Sequence, residues 1–478
     1  CIMDNRKLEL VTDFYEFTMS NGYFAKNMNN VNAYFDVFFR EIPDGGGYVI
    51  FAGLEQIIEY IQNLHFDEED IIYLKSTNKF SDEFLNYLKN FKFSGDIWAV
   101  PEGTVVFPTE PLITVKAPLI EAQLLETMLL LLINHQSLIA TKASRIVSAA
   151  KGRPVMEFGA RRAHSIDAAV YGARAAIIGG CVGTSCTLTA QKYNVPASGT
   201  MAHSFIQSFD SEYEAFKAYA ENYPDDCTLL IDTYDSLGSG INNAIKVFDE
   251  VLTPMGYRPK AVRIDSGDLS YLSKKLRVIL DNAGYKDCKI CGTNSLDEYV
   301  ITSILDEGAK LDSFGVGENL ITAKSNPVFG GVYKLSAIEK EGRIIPKIKV
   351  SNNTIKITNP GFKKTYRFYD KKTNKALADV IALHDEIIPE DNYTIFDQTA
   401  TWKKKTLTNY TIRPLQEKIF DNGILVYTSP ALKEIAENAK AELNTLWNEV
   451  KRMKNPHKYY VDLSQELWNL KDSMLHNL

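Results

Sequence analysis

The chain has 478 residues, 45% of them hydrophobic and 24% charged, the balance of a folded globular protein with room for about two to four domains. A mainly disordered chain is excluded, because it would be poorer in apolar residues and carry more net charge. The formal net charge of −7 excludes a global attraction to nucleic acid or anionic lipid, so any phosphate binding must be local.

Residues 1–10 are charged and lack an apolar signal region, which predicts a cytoplasmic protein. Residues 32–39 alternate like a strand around Tyr34, Asp36 and Phe38. Gly45-Gly46-Gly47 marks a turn before a second strand over 48–52, and 54–64 has helical spacing. Short strands are expected over 95–100, 104–107 and 112–115, separated by Pro101, Gly103, Pro108 and Pro111. This is an α+β pattern, assigned to residues 1–135. The longest apolar run, 124–133, is broken by Glu126 and falls short of the ~20 residues that span a bilayer, so no membrane partner is expected.

A long helical stretch, 122–150, leads into a different pattern. Apolar runs recur at 155–158, 197–201, 229–231, 261–264, 289–291 and 313–316, with helix-like segments between them. Alternating strand and helix predicts a parallel sheet. Polar or glycine clusters follow the strands, and in (β/α) barrels the active site forms at those C-terminal strand ends. Residues 136–335 are therefore read as an irregular (β/α) barrel, making the protein an α/β fold with an N-terminal α+β domain. Residues 336–478 read as a C-terminal α+β extension, with a hairpin over 332–335 and 344–350, strands over 354–358 and 365–369, and a helix over 432–453. The six cysteines are scattered like reduced thiols, and the lone Cys288-x-x-Cys291 pair is read as packing beside a buried strand.

The strand ends carry the chemistry. Asp232, Asp235, Asp265 and Asp268 follow two predicted barrel strands. Singly each could cap a helix; converging, they suit magnesium or a ribose. Gly292-Thr293-Asn294 and Gly315-Val316-Gly317 are either tight turns or phosphate-holding backbone. Neither has the G-x-x-x-x-G-K-[ST] spacing of a P-loop. Arg161, Arg162 and Arg263 could grip a carboxylate or phosphate, or pair with a neighbouring Asp. His203 follows the 197–201 run and could be a base, a metal ligand, a phosphorylated nucleophile or an ordinary satisfied polar residue. His164 is a weaker candidate. The residues alone point to a barrel enzyme acting on a magnesium-bound phosphate ester and do not name the reaction.

As an ordered set, the motifs resemble the nicotinate phosphoribosyltransferase family. The matching stretches are Thr12-Asp13-Phe14-Tyr15-Glu16-Phe17-Thr18-Met19, Phe51-Ala52-Gly53-Leu54, 157–162, 199–204, 231–235, 263–268, 314–317 and Asn359-Pro360-Gly361-Phe362-Lys363. The resemblance implies a type II phosphoribosyltransferase fold. It also implies the conversion of nicotinate and phosphoribosyl pyrophosphate to nicotinate mononucleotide and pyrophosphate, coupled to ATP hydrolysis through a phosphohistidine at His203. It further implies that Asp232 and Asp265 act on magnesium-bound pyrophosphate and ribose. Gly292, Thr293, Gly315 and Gly317 would hold phosphate, with Arg161 also in contact with substrate. Arg263 with Thr200 would fix the nicotinate carboxylate, and Phe158 and Tyr15 would sandwich the ring. In similar enzymes that tyrosine comes from the neighbouring subunit, which implies a homodimer with shared sites. The sequence departs from some relatives in carrying Glu318, not Thr, directly after the glycine pair. The rivals are a nicotinamide or quinolinate phosphoribosyltransferase of the same fold, a non-catalytic nucleotide-sensing relative and a barrel glycosidase. Ser185, where similar nicotinamide enzymes place an Asp, favours an anionic ring substituent.

Overall fold

In the computed structural model, which describes residues 6–477, the chain forms two compact units. One comprises residues 139–327; the other joins the residues up to 138 with those from 328 onward. The contacts thus divide the chain differently from the three segments expected at 1–135, 136–335 and 336–478. The reason is pairing across the chain: strand Asn32–Phe39 lies antiparallel to strand Gly331–Lys340.

That discontinuous unit holds a seven-stranded antiparallel sheet. Its order is Arg343–Pro346, Gly331–Lys340, Asn32–Phe39, Ile113–Pro118, Asp96–Ala99, Glu417–Asp421 and Ile424–Leu425. Both faces of strand Asn32–Phe39 are covered, so Ala33, Val37 and Phe39 are fully buried together with Asp36. Asp36 accepts from the Thr114 hydroxyl at 2.7 Å and pairs with the buried Lys363 at 2.8 Å, which satisfies a carboxylate that could not stay dry alone. A second, four-stranded sheet runs Tyr410–Pro414, Lys363–Asp370, Ala376–Leu383, Val461–Leu463. Helix Leu54–Asn63 opens at Gly53, whose φ of +113° and 2.7 Å approach of a would-be Cβ to the Leu132 carbonyl leave room for no side chain. The 354–358 stretch is a 3-10 turn over Thr354–Lys356, not a strand, because Asn353 caps it by accepting from the Ile355 N–H at 3.2 Å.

The long apolar helical stretch is two helices, Leu119–Gln123 and Glu126–Ala149. Among the described residues it is the one stretch long and apolar enough to cross a membrane, and 61% of its apolar window is buried. Leu125, Leu129, Ile133, Ala143 and Ile146 are fully buried, as in the core helix of a globular protein.

The continuous unit is built on six parallel strands, numbered here along the chain within this sheet: β1 Val155–Glu157, β2 Gly183–Thr184, β3 Thr228–Leu230, β4 Ala261–Ile264, β5 Lys289–Thr293 and β6 Ser313–Val316. Their order is β2-β1-β6-β5-β4-β3. Val155, Leu229, Val262, Ile264, Ile290, Phe314 and Val316 are buried, as expected for strands covered on both faces. Beyond β2 the 197–201 run contributes a single parallel bridge, Thr184 to Ala197, where a full strand was expected. Among the described residues no pairing joins β3 to that edge, so the sheet is an open half-barrel and not a closed ring. Asp268, Asp297 and Ser165 cap the helices that follow their strands, and parallel pairing leaves the strand ends clustered along one edge.

Candidate active site

Parallel register brings residues far apart in sequence side by side at that edge. Thr293 lies across from Gly315, Val316 from Glu157, and Gly292 from Ile264. Whatever stands at or just after these positions shares one patch of surface.

Arg263, one residue before the end of β4, is the hub. Its Nε donates to the Thr293 hydroxyl at 3.0 Å, Nη1 to the Thr200 hydroxyl and the Met201 carbonyl at 3.2 Å each, and Nη2 to Asp265 Oδ1 at 3.1 Å. A guanidinium has five N–H groups, so one N–H of Nη2 has no acceptor among the described residues. Its charged carbon lies 5.9 Å from the centre of the Phe158 ring, within cation–π range. Arg263 is therefore at once the ion-pair partner of an aspartate, one of the two roles expected of it, and a cation with a free donor beside an aromatic face.

The two central aspartates are linked. Asp232 Oδ2 accepts from the Asp265 N–H at 2.9 Å and from the Ser266 hydroxyl at 2.5 Å. Asp232 Oδ1 is buried and, among the described residues, has no hydrogen-bond partner. A lone buried carboxylate oxygen costs free energy unless a cation or donor meets it, so this atom is chemically suited to a hard metal ion. Asp265 Oδ1 takes the Arg263 bond and a short one from the Thr293 hydroxyl. Asp265 Oδ2 lies 3.9 Å from His203 Nε2. The imidazole opens a short helix, His203–Gln207, and its Nδ1 lies 3.0 Å from the Thr233 hydroxyl. The ring, gripped at Nδ1 and 41% exposed, turns its Nε2 toward Asp265.

Phe158 continues β1, its N–H bonded to the Val316 carbonyl at 2.8 Å. A Cβ on Gly315 would sit 2.5 Å from the Phe158 ring and 2.7 Å from the Thr293 methyl, so the missing side chain is the seat of that ring. Gly317 follows β6 directly, and a Cβ there would come 3.1 Å from the Phe158 carbonyl; the helix behind it, Glu318–Ile321, is a single turn. Gly292 is crowded by Leu311 at 3.0 Å, so what its bareness serves is packing. The loop after β5 holds Asn294 and Ser295 at φ +132° and +48° and is pinned by the Asn319 amide, which donates to the Ser295 and Leu296 carbonyls at 3.1 Å each.

The other expected residues sit further out. Arg161 is exposed on the 3-10 turn Ala160–Arg162. Glu318 pairs with Lys324 at 2.6 Å and lies 3.9 Å from Arg162, and Lys324 holds its carboxyl below the usual range. Asp235 and Asp268 serve as helix caps, accepting from the N–H groups of Leu237 and Gly238 and of Tyr271. His164 is exposed. Tyr15, half-exposed, belongs to helix Phe14–Ala25 of the discontinuous unit. Cys288 and Cys291 are free and buried, and burial pushes the Cys288 thiol up to about 12. Sequence reasoning missed Thr233, Ser266, Thr184 and Glu157 as site residues. The first two stand inside the quoted Asp-x-x-Asp stretches, but hydroxyls are too common there to signal a role.

An open parallel α/β sheet whose strand ends join a guanidinium, two carboxylates and an imidazole defines a barrel-type α/β enzyme site. Family models described as the nicotinate phosphoribosyltransferase N-terminal domain, family and C-terminal domain match residues 10–134, 154–383 and 362–471. The chain belongs to the nicotinate phosphoribosyltransferase family. It is 43% identical over 472 residues to nicotinate phosphoribosyltransferase of Bacillus subtilis, covering 98% of this chain and 96% of that one. The Caenorhabditis elegans enzyme of the same name is 35% identical, over 96% and 92%. The crystal structure of human nicotinic acid phosphoribosyltransferase is similar with a TM-score of 0.86 at 28% identity, covering 97% of this chain and 99% of that one.

Proposed function

We propose that this chain is a cytoplasmic enzyme that joins nicotinate to phosphoribosyl pyrophosphate, releasing pyrophosphate and forming nicotinate mononucleotide, with ATP hydrolysis coupled through a phosphohistidine at His203. The observation that carries it is Arg263, which offers a free N–H beside the Phe158 ring. A cation next to an aromatic face fits a flat ring bearing one carboxylate. Family membership and the names of the relatives support the same reading.

In this reading Phe158 and Tyr15 stack on the pyridine, and Arg263 with Thr200 takes its carboxylate. The ring nitrogen bonds to C1′ of the ribose as the C1′–O bond breaks and pyrophosphate leaves. Positive charge develops on the ribose, and Asp232 and Asp265 at the same edge would stabilise it. The buried, partnerless Asp232 Oδ1 and the open Asp265 Oδ2 would hold magnesium, which neutralises pyrophosphate when bound. Thr293, Gly315 and Gly317 lie where backbone can approach phosphate; Gly292, fixed by packing, and exposed Arg161 are more peripheral contacts. Phosphorylating His203 adds negative charge beside Asp265, and ATP can drive the cycle only if that state binds the substrates differently. A homodimer would supply Tyr15 to its partner's site, in keeping with the exposure of Phe14, Tyr15 and Met19 on one helix.

Quinolinate is disfavoured because Arg263 is drawn into the cluster whereas Arg161 and Arg162 stay exposed. Nicotinamide is disfavoured because Ser185 offers no anion to its amide. The test is product formation from each base with and without ATP. Nicotinate should be turned over fastest and be stimulated by ATP, and His203→Ala should keep slow transfer while losing that stimulation. Faster turnover of nicotinamide or quinolinate overturns the substrate assignment; ATP stimulation surviving in His203→Ala overturns the role of the imidazole.

A further inference from the structure

Glu157 is the last residue of β1 and is fully buried. Among the described residues no Lys, Arg or His pairs with it: its carboxyl takes a short bond from the Gly159 N–H on Oε1 and one of 2.6 Å from the Thr184 hydroxyl on Oε2. Burial pushes its pKa up, and those two donors only partly oppose the shift. A buried carboxyl without a cation destabilises a fold, and an apolar side chain of similar volume would serve packing better. Its surroundings show what its two oxygens do. One holds the residue directly after Phe158; the other holds the end of β2. The Glu157 main-chain carbonyl takes the Ser185 N–H at 2.9 Å, and Thr184 Oγ1 also takes the Cys186 N–H at 2.9 Å. Phe158 is thus fixed on three sides: by the Val316 carbonyl on its own N–H, by the clamp on Gly159 behind it, and by Gly315 beneath its ring. The turn 184–186 is fixed to the same carboxyl.

We propose that Glu157 is a positioning residue for the slot that receives the aromatic base: by tying the Gly159 N–H to the Thr184 hydroxyl it fixes both the Phe158 ring and the 184–186 turn beside it. This rests on the reading of Phe158 as the stacking residue. The carboxyl touches no substrate, so its removal acts through geometry and falls on the base alone. A small displacement of a stacking ring weakens binding of that ring and leaves in place the phosphate contacts at Thr293, Gly315 and Gly317, made from the ends of β5 and β6, with only the peripheral Arg161 sharing the strand end of Phe158.

The test measures the KM of each substrate, kcat and the melting temperature for the full-length wild type, Phe158→Ala, Glu157→Ala, Glu157→Gln and Thr184→Val. Glu157→Ala should raise the nicotinate KM about tenfold while the phosphoribosyl pyrophosphate KM stays within about twofold. Glu157→Gln should recover most of the loss, because its carbonyl can still accept from Gly159 and its amide can donate to Thr184 Oγ1. Thr184→Val, which keeps volume and removes one arm of the clamp, should raise the nicotinate KM in the same selective way. It carries the test if Glu157→Ala does not fold. A nicotinate KM unchanged in both Glu157→Ala and Thr184→Val, or an equal rise for both substrates, overturns the proposal. Phe158→Ala separates the two claims. If it leaves the nicotinate KM unchanged, the stacking assignment fails and the proposal with it; if it raises that KM and the clamp variants do not, only the role of Glu157 fails.

Discussion

Glu16 is a carboxyl where water does not reach. It is fully buried in helix Phe14–Ala25, accepts one bond from the Thr127 hydroxyl at 2.5 Å on Oε1, and has no partner on Oε2 among the described residues. Burial, with Glu126 and Asp13 nearby, pushes its pKa up to about 7. In the unfolded chain a glutamate titrates near ~4.3, so between those values the folded state binds the proton more tightly. Stability linked to this group therefore falls as pH rises from about 4 to about 7 and stays low above that. Glu16→Gln removes the titration. The variant should melt close to wild type at pH ~5 and several degrees higher at pH ~8, by the same linkage. Melting curves across that range decide it: a constant difference between the two proteins at every pH would show that Glu16 does not titrate there. Single residues of this kind were the least legible part of the sequence. Glu16 stood inside a motif stretch, yet nothing local distinguished a dry carboxyl from a solvated one. Arg263, Asp232 and Asp265 were more legible because their positions beside strand ends could be counted, whereas His203 was placed after a run that proved to be a single bridge.

At the scale of elements, the seating of Phe158 on Gly315 ties β1 to β6. Gly315→Ala puts a methyl group 2.5 Å from a ring carbon, closer than two carbons tolerate, so the ring must leave its seat. Overpacking of this sort costs about 1–3 kcal/mol. Urea denaturation should register that loss in Gly315→Ala and a markedly smaller one when Phe158→Ala has already removed the ring, with the nicotinate KM raised in both backgrounds. An equal loss with and without the ring would mean that the methyl group strains the sheet itself. Five of the six strands were visible as apolar runs, since a parallel strand covered on both faces is largely apolar, even though Glu157 and Arg263 interrupt β1 and β4 near their ends. β2, only Gly183–Thr184, is too short to carry a pattern. The 197–201 run has a strand's composition at one end only; Ser198 and Gly199 leave it with one bridge. The helix caps Asp235 and Asp268 illustrate the same limit: an Asp after a strand reads alike whether its oxygens meet N–H groups or a ligand, and only the folded backbone separates the two.

Across the whole molecule, the chain leaves the first unit near residue 138 and returns to it near 328, and local pattern cannot show that return. The seven-stranded sheet depends on it, and so does a buried charge cluster made by four separate segments. Arg367 is fully buried; it donates to Asp379 at 2.8 and 2.6 Å, to Glu442 at 3.0 Å and to the Val105 carbonyl at 2.8 Å. Tyr459 stacks on Phe107 with ring centres 4.0 Å apart and donates to Asp379 at 2.9 Å. Burial opposes the ionisation of Asp379, but the guanidinium holds its pKa below the usual range, while burial and Asp379 push Glu110 well up. One arginine thus keeps an anion charged in the core and joins residues from 105 to 459. Arg367→Met keeps the volume and strands Asp379 without its cation, which should cost about 3–5 kcal/mol. Because Asp379 would then bind a proton in the folded state, the loss should shrink as the pH is lowered. Denaturation of Arg367→Met and of Arg367→Met/Asp379→Leu measures this. The double variant, with neither charge left to strand, should recover a large part of the loss; if it is as unstable as the single one, the cluster acts through shape and hydrogen bonds to Val105 and Glu442, not through the compensation of a buried charge.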